Sequence, residues 1–185
     1  MEEKKVKGSM LLEFVRMIRA HKNLDWNKFL QPEDWDIINS LVLPAKWYPL
    51  DFYRRCSMAA FVLLAKNNLE GARANGQVMA KHLFESTYKS MIQNKEPMRG
   101  LNQFVLTYAS FYNFSMLKLE KAGPKHAKVH HNHDGRDKSN VPYCHQLQGM
   151  FETLVQMNGG TNLKVVLSAK QWEGAPETIF DITWE

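Results

Sequence analysis

Apolar residues in the first two thirds of the chain recur at helical spacing. Met10, Leu11, Phe14, Met17 and Ile18 form one stripe, with Ser9 placed to cap it and His21 and Asn23 at its end. A short helical turn over 25–30 follows. Pro32 then opens a helix whose Trp35, Ile38 and Val42 face inward, since proline is well accepted in the first turn. The LPAKWYP stretch breaks the pattern, because Pro44 and Pro49 each turn the preceding residue away from helix. Asp51 reads as the cap of the next helix, which carries Phe52, Cys56, Ala59, Ala60, Leu63 and Leu64 on one face down to Asn67. Gly71 and Gly76 predict an interruption before a helix over about 77–93, with Ala80, Leu83, Phe84, Thr87, Tyr88 and Met91 on one side. Pro97 opens a further helix with Met98, Leu101, Phe104, Val105, Tyr108 and Tyr112 as its stripe.

The period then changes to two. Segments 115–121 and 125–132 read as strands joined by the turn-forming Ala122-Gly123-Pro124. In the second strand Ala127, Val129, His131 and His133 alternate with His126, Lys128, His130 and Asn132. A polar loop, HDGRDKSN, leads into a helix that turns Cys144, Leu147, Phe151, Leu154 and Val155 inward and ends at Gly159-Gly160. Leu163, Val165 and Leu167 predict a third strand, and Phe180, Ile182 and Trp184 a fourth. The order, about six helices and then β-β-α-β-β, defines an α+β fold. The expectation is an N-terminal helical bundle, about 9–113, packed on a C-terminal four-stranded antiparallel sheet, about 114–185, as one domain over 1–185.

Composition narrows the function classes more than it selects one. With 185 residues, 44% hydrophobic and 23% charged, the chain is ordinary for a globular domain and excludes wholesale disorder. The net charge of +5 permits an acidic partner without demanding one. The basic residues are dispersed, and the polar stretch 118–138 lacks interleaved aromatics, so no nucleic-acid partner is expected. No uncharged apolar run is long enough for a membrane span. The opening MEEKKVKGSM has no apolar core of a secretory signal, and two cysteines do not make a disulfide framework. A cytoplasmic location is the expectation. The Gly71–Gly76 segment lacks the Lys-Ser/Thr of a phosphate loop, and neither a nucleophile elbow nor a zinc-protease helix is present.

Three features carry candidate chemistry. His126, His130, His131 and His133 lie within eight residues, and Cys144-His145 follows. His131 and His133 share a strand face at a spacing two metal-bound imidazoles accept, and Cys144 is the third candidate ligand, with Asp134, Asp137 or His145 available to complete a set for zinc or another transition metal. The reading as a solvated hairpin is the favoured one, because no established zinc spacing is present. Cys144 beside His145 suggests a nucleophile for a small Cys-dependent enzyme, but adjacent helical residues do not face each other and Cys144 sits on the apolar stripe, as a structural thiol would. His82 and Cys56 read as structural. Finally, the aromatic residues and ten methionines either fill a core or line a cavity for an apolar ligand, with Trp47, Tyr48, Phe104, Tyr108 and Phe151 as candidate lining.

Several strings resemble a superfamily of ligand-binding domains that includes the heme-NO-binding sensors, the TRAPP transport-complex subunits and the 4-vinyl-reductase-like domains. GSMLLEFVRMI opens on a glycine and an amphipathic helix; WYPLDFYRRC sets Tyr-Pro before a long helix; LQGMFETLVQMNGGTNLKVVLS is a helix, a glycine break and a strand; FDITW closes the sheet. The chain most resembles a myxobacterial paralogous family of unknown function. The resemblance covers nearly the whole chain and implies a non-enzymatic sensor or adaptor domain, with a small apolar ligand or a protein partner, homodimerisation or fusion to signalling modules. Heme-binding members use a helical histidine ahead of the sheet and a Tyr-x-Ser-x-Arg string on a strand. Here the helix from Met98 to Tyr112 has no histidine and the comparable strand reads VHHNHDGRD, so heme is not expected.

Overall fold

The computed structural model describes residues 3–86, 88–114, 116–132 and 138–185. These residues fall into two compact units, one lying within 1–69 and 111–114 and the other within 70–110 and 115–185.

The first unit is built on α1 (Leu12–Ala20), α2 (Asp34–Asn39) and α3 (Leu50–Leu63), with a two-stranded antiparallel ribbon of β1 (Lys5–Lys7) and β2 (Trp47–Pro49). The ribbon was not legible as strands. Each arm is three residues long, too short to display alternation, and β2 lies in the proline-broken stretch. Three helix bounds also differ from expectation: α2 begins at Asp34, past Pro32, and ends before the buried Val42. A 3-10 turn over Gly8–Met10 displaces the start of α1, so Ser9 is not its cap. Asp51 sits inside the first turn of α3, whose cap position is Pro49; there its carboxylate meets the helix's positive end and pairs with Arg54 at 3.4 Å. Phe14, Val15, Ile18, Trp26, Ile38, Phe52 and Cys56 are buried in this unit, with Phe14 edge-on to Tyr53 at 5.5 Å.

The second unit carries α4 (Leu69–Ser86), α5 (Pro97–Ala109), β3 (Leu117–Gly123), β4 (His126–His131), α6 (Val141–Met157), β5 (Lys164–Ala169) and β6 (Thr178–Thr183). The four strands make one antiparallel sheet in the order β3-β4-β6-β5. Pro97 and Pro142 open α5 and α6, where a missing N–H costs no helical bond. Gly71 and Gly76 do not interrupt a helix, because α4 runs through both. At Gly76 an added Cβ would lie 2.0 Å from the Gln146 carbonyl oxygen, and at Gly149 of α6 one would lie 2.0 Å from that of Arg73. Gly76 is therefore a contact point, where the α4 and α6 backbones cross with no side chain between them. That close packing offsets the loss of helix propensity that glycine brings.

One face of the sheet is covered by α5 and α6. Along β4 the inward set is Ala127, Val129 and His131, and along β6 it is Thr178, Phe180 and Ile182, all buried; the intervening residues are partly exposed. This is the period-two pattern of a sheet with one buried side.

Candidate functional site

Helix α5 buries Gly100, Leu101, Phe104, Val105 and Tyr108, and α6 answers with Leu147, Phe151, Leu154 and Val155. The i, i+4 spacing of Phe104 and Tyr108 puts their rings on one stripe, stacked at 5.3 Å. Phe151 meets Phe104 edge to face at 5.4 Å, and Phe84 of α4 meets it at 6.2 Å. Phe151 also abuts Phe180 of β6 at 5.1 Å. These separations are those of favourable aromatic pairs. Three of the five candidate lining residues, Phe104, Tyr108 and Phe151, thus touch one another in the second unit. Asn158, just past α6, fixes their frame by donating to Met91 O and to Leu154 O, each at 2.9 Å.

Trp47 and Tyr48 lie in the first unit, on β2. Tyr48 is buried and its hydroxyl accepts the Leu43 N–H at 3.0 Å. Trp47 is 40% exposed, with the Lys7 ammonium 5.3 Å over its ring.

The histidines divide by strand parity. His131 points inward, fully buried between Tyr143 at 5.5 Å and Phe180 at 6.5 Å, with its Nδ1 3.8 Å from Cys144 Sγ. The imidazole beside Cys144 is therefore that of His131, from 13 residues upstream, rather than its neighbour His145. Burial pushes the Cys144 thiol far above its ordinary pKa, and the same holds for Cys56. Arg55 does little to counter this at Cys56, because its guanidinium is spent on Asp34. His133, Asp134 and Asp137 lie outside the described residues. His126 and His130 point to the other face of the sheet. There His126 Nε2 meets Asp181 at 2.8 Å, and His130 bridges Glu177 through Nδ1 at 2.8 Å and Glu120 through Nε2 at 2.9 Å. The bond to Glu177, aided by Glu120, raises the His130 pKa. Among the described residues, no group of three or more His, Cys, Asp or Glu side chains is arranged to hold a metal ion.

Two buried ion pairs escaped the sequence reading. Glu152 of α6 takes two hydrogen bonds from Arg73 of α4, at 3.0 and 2.6 Å, and a third from Gln77 Nε2 at 2.8 Å. Asp34 takes two from Arg55, at 2.8 and 2.6 Å, and one from the Gln31 N–H at 2.8 Å. Each arginine lies 21 or 79 residues from its acid, beyond the reach of local pattern; the one available signal was an acid at an otherwise apolar helical position.

With this geometry in place, the fold is recognisable. The chain has the mixed helix-and-sheet fold of the H-NOX domains. An unliganded Fe(II) H-NOX protein from K. algicida superposes with a TM-score of 0.64 at 10% identity, over 97% of this chain and 96% of that one. An H-NOX protein from S. oneidensis in the Fe(II)NO state gives 0.58 at 11% identity, over 97% and 99%. A mutant of T. tengcongensis H-NOX gives 0.58 at 12% identity, over 97% of both chains. Residues 38–185 match the family described as "Protein of unknown function (DUF2378)", and the chain belongs to that family. No curated protein matches it.

Proposed function

We propose that the chain is a non-enzymatic sensor or adaptor domain that works without heme and binds a small apolar ligand or a protein partner. The observation that carries this reading is the ring-to-ring contact of Phe84, Phe104, Tyr108, Phe151 and Phe180 where α5 and α6 cover the sheet. The Fe(II) states named for the H-NOX proteins belong to those proteins. In this chain the residues of α5 do not fit an iron site. The helix ahead of the sheet carries no histidine, its inward positions are apolar or aromatic, and no Tyr-x-Ser-x-Arg string occurs in the sequence. A small apolar ligand would have to part the rings, and Phe104, Tyr108 and Phe151 are the residues it would touch. The mutual contact of these rings favours the partner-binding arm, and exposed Trp47 suits a contact residue better than a pocket wall. A single domain over 1–185, a cytoplasmic location and homodimerisation belong to the same proposal.

Native mass spectrometry of protein purified from cells tests this reading. The expected result is the bare mass of the chain or of its dimer. A stoichiometric porphyrin adduct would overturn it, and a stoichiometric apolar adduct would select the ligand-binding arm. The metal alternative keeps one favourable observation, the approach of His131 to Cys144, and a stoichiometric metal in untagged protein would select it. A Cys144-dependent enzyme needs an accessible thiolate, and burial opposes both access and ionisation.

A further inference from the structure

The loop between α2 and β2 turns its apolar residues outward on a fixed frame. Leu41 is 80% exposed and Leu43 49%, while Val42 between them is buried. Pro44, Ala45, Lys46 and Trp47 are exposed as well. The loop is held at several points. Arg19 donates to Ile38 O at 2.8 Å and to Ser40 O at 2.6 Å; the Leu43 N–H bonds the Tyr48 hydroxyl; and the N–H groups of Ser9 and Gly8 bond Pro44 O and Lys46 O at 3.0 and 2.9 Å. A Cβ at Gly8 would lie 2.2 Å from Leu43 O, so a glycine is needed for that approach. Apolar side chains held outward on a rigid frame are a surface built for contact.

The charges within the loop and over its aromatic rings are those of lysines. From Ser40 to Trp47 the only charged residue is Lys46. Lys7, paired with Trp47 across the ribbon, lies over the indole, and Lys46 lies 5.6 Å over the Tyr48 ring. Asp36 and Asp51 are the nearest carboxylates along the chain, and Asp51 is engaged by Arg54. A second copy of the same loop would set lysine against lysine. Leucines that project this far need a deformable apolar medium more than a shaped groove. A tryptophan with lysines beside it suits the boundary between acyl chains and headgroups.

We propose that this loop docks the protein on an anionic lipid surface, with Leu41 and Leu43 entering the acyl boundary, Trp47 at headgroup level, and Lys7 and Lys46 against lipid phosphates. This site goes beyond the heme-free reading and does not depend on it. Co-sedimentation of the full chain with vesicles of phosphatidylcholine alone, or with phosphatidylglycerol added, tests it. Binding is expected to the anionic vesicles and to weaken with salt. Leu41→Asp with Leu43→Asp should lower partition by at least about ten-fold. Lys7→Gln or Lys46→Gln should lower it by about five-fold each. Circular dichroism of each variant should match the parent. No sedimentation of the folded parent overturns the proposal, and so does sedimentation unchanged by the double leucine substitution. Parent sedimentation that is equal on neutral vesicles also overturns it, because the lysines then confer no preference for anionic lipid. A concentration-dependent dimer that the double substitution abolishes, without vesicle binding, would reassign the loop to self-association and also overturn it.

Discussion

Two regions of this molecule use apolar side chains in opposite ways. In the second unit Phe84, Phe104, Tyr108, Phe151 and Phe180 face one another and leave water entirely or nearly so. In the first, Leu41, Leu43 and Trp47 stand in solvent on a loop whose backbone is hydrogen-bonded at Ser40, Leu43, Pro44 and Lys46. The rings contribute stability through burial, which scales with area removed from water. The loop leucines contribute none of that until something covers them. Core and contact surface are therefore separable by substitution, and the difference shows where to expect loss of fold and where loss of function.

The largest effect should come from the rings. Phe151→Ala removes the residue shared by Phe104 and Phe180, and should cost about 3–5 kcal/mol in urea unfolding. A cost under ~1 kcal/mol would mean that the cluster is not close-packed. Next is the Glu152 pair. Arg73→Ala strands a carboxylate whose side chain is 6% exposed, although the arginine itself is 34% exposed; a loss of about 2–3 kcal/mol is expected by the same measurement. Gly149→Ala forces α4 and α6 apart and should cost about 1–3 kcal/mol, with a lower thermal midpoint as the readout.

A smaller effect lies on the open face of the sheet. His130 is protonated more readily in the folded chain, chiefly through Glu177 and then Glu120. Its contribution is therefore complete below the ordinary histidine pKa of 6.5 and is lost as pH rises through the raised value. Stability should fall across that window, and His130→Gln should flatten the fall. An identical pH profile in the variant would refute the assignment. The smallest stability effect belongs to the loop. Leu41→Asp should change unfolding free energy by less than about 0.5 kcal/mol, since the side chain is 80% exposed.

The sequence reading succeeded where burial is one-sided and repetitive. The stripe of α5 as far as Tyr108, the inward set of α6 and the alternation in β4 were legible, whereas Tyr112, expected on the same stripe, lies beyond the end of α5 at Ala109; together these elements carry the α+β order and the four-stranded antiparallel sheet. Glycine misled it at Gly76, because local propensity predicts a break while the α4–α6 crossing requires a residue without a side chain. The ribbon of β1 and β2 was too short to show a period. Strand parity correctly set His131 apart from His126 and His130. The pairing of His131 with Cys144 spans 13 residues, and no local pattern encodes it. The carboxylate–arginine pairs were hidden for the same reason. The α5 stripe named the aromatic residues, but whether they fill a core or line a cavity depends on facing elements that periodicity does not position.

The central proposal, that the aromatic contacts around α5 work without an iron porphyrin, is tested most directly by titrating the purified chain with hemin and reading the Soret absorbance. The account predicts a spectrum that remains that of free hemin, with no saturation at one equivalent. A sharp, shifted Soret band that saturates at one hemin per chain would contradict it.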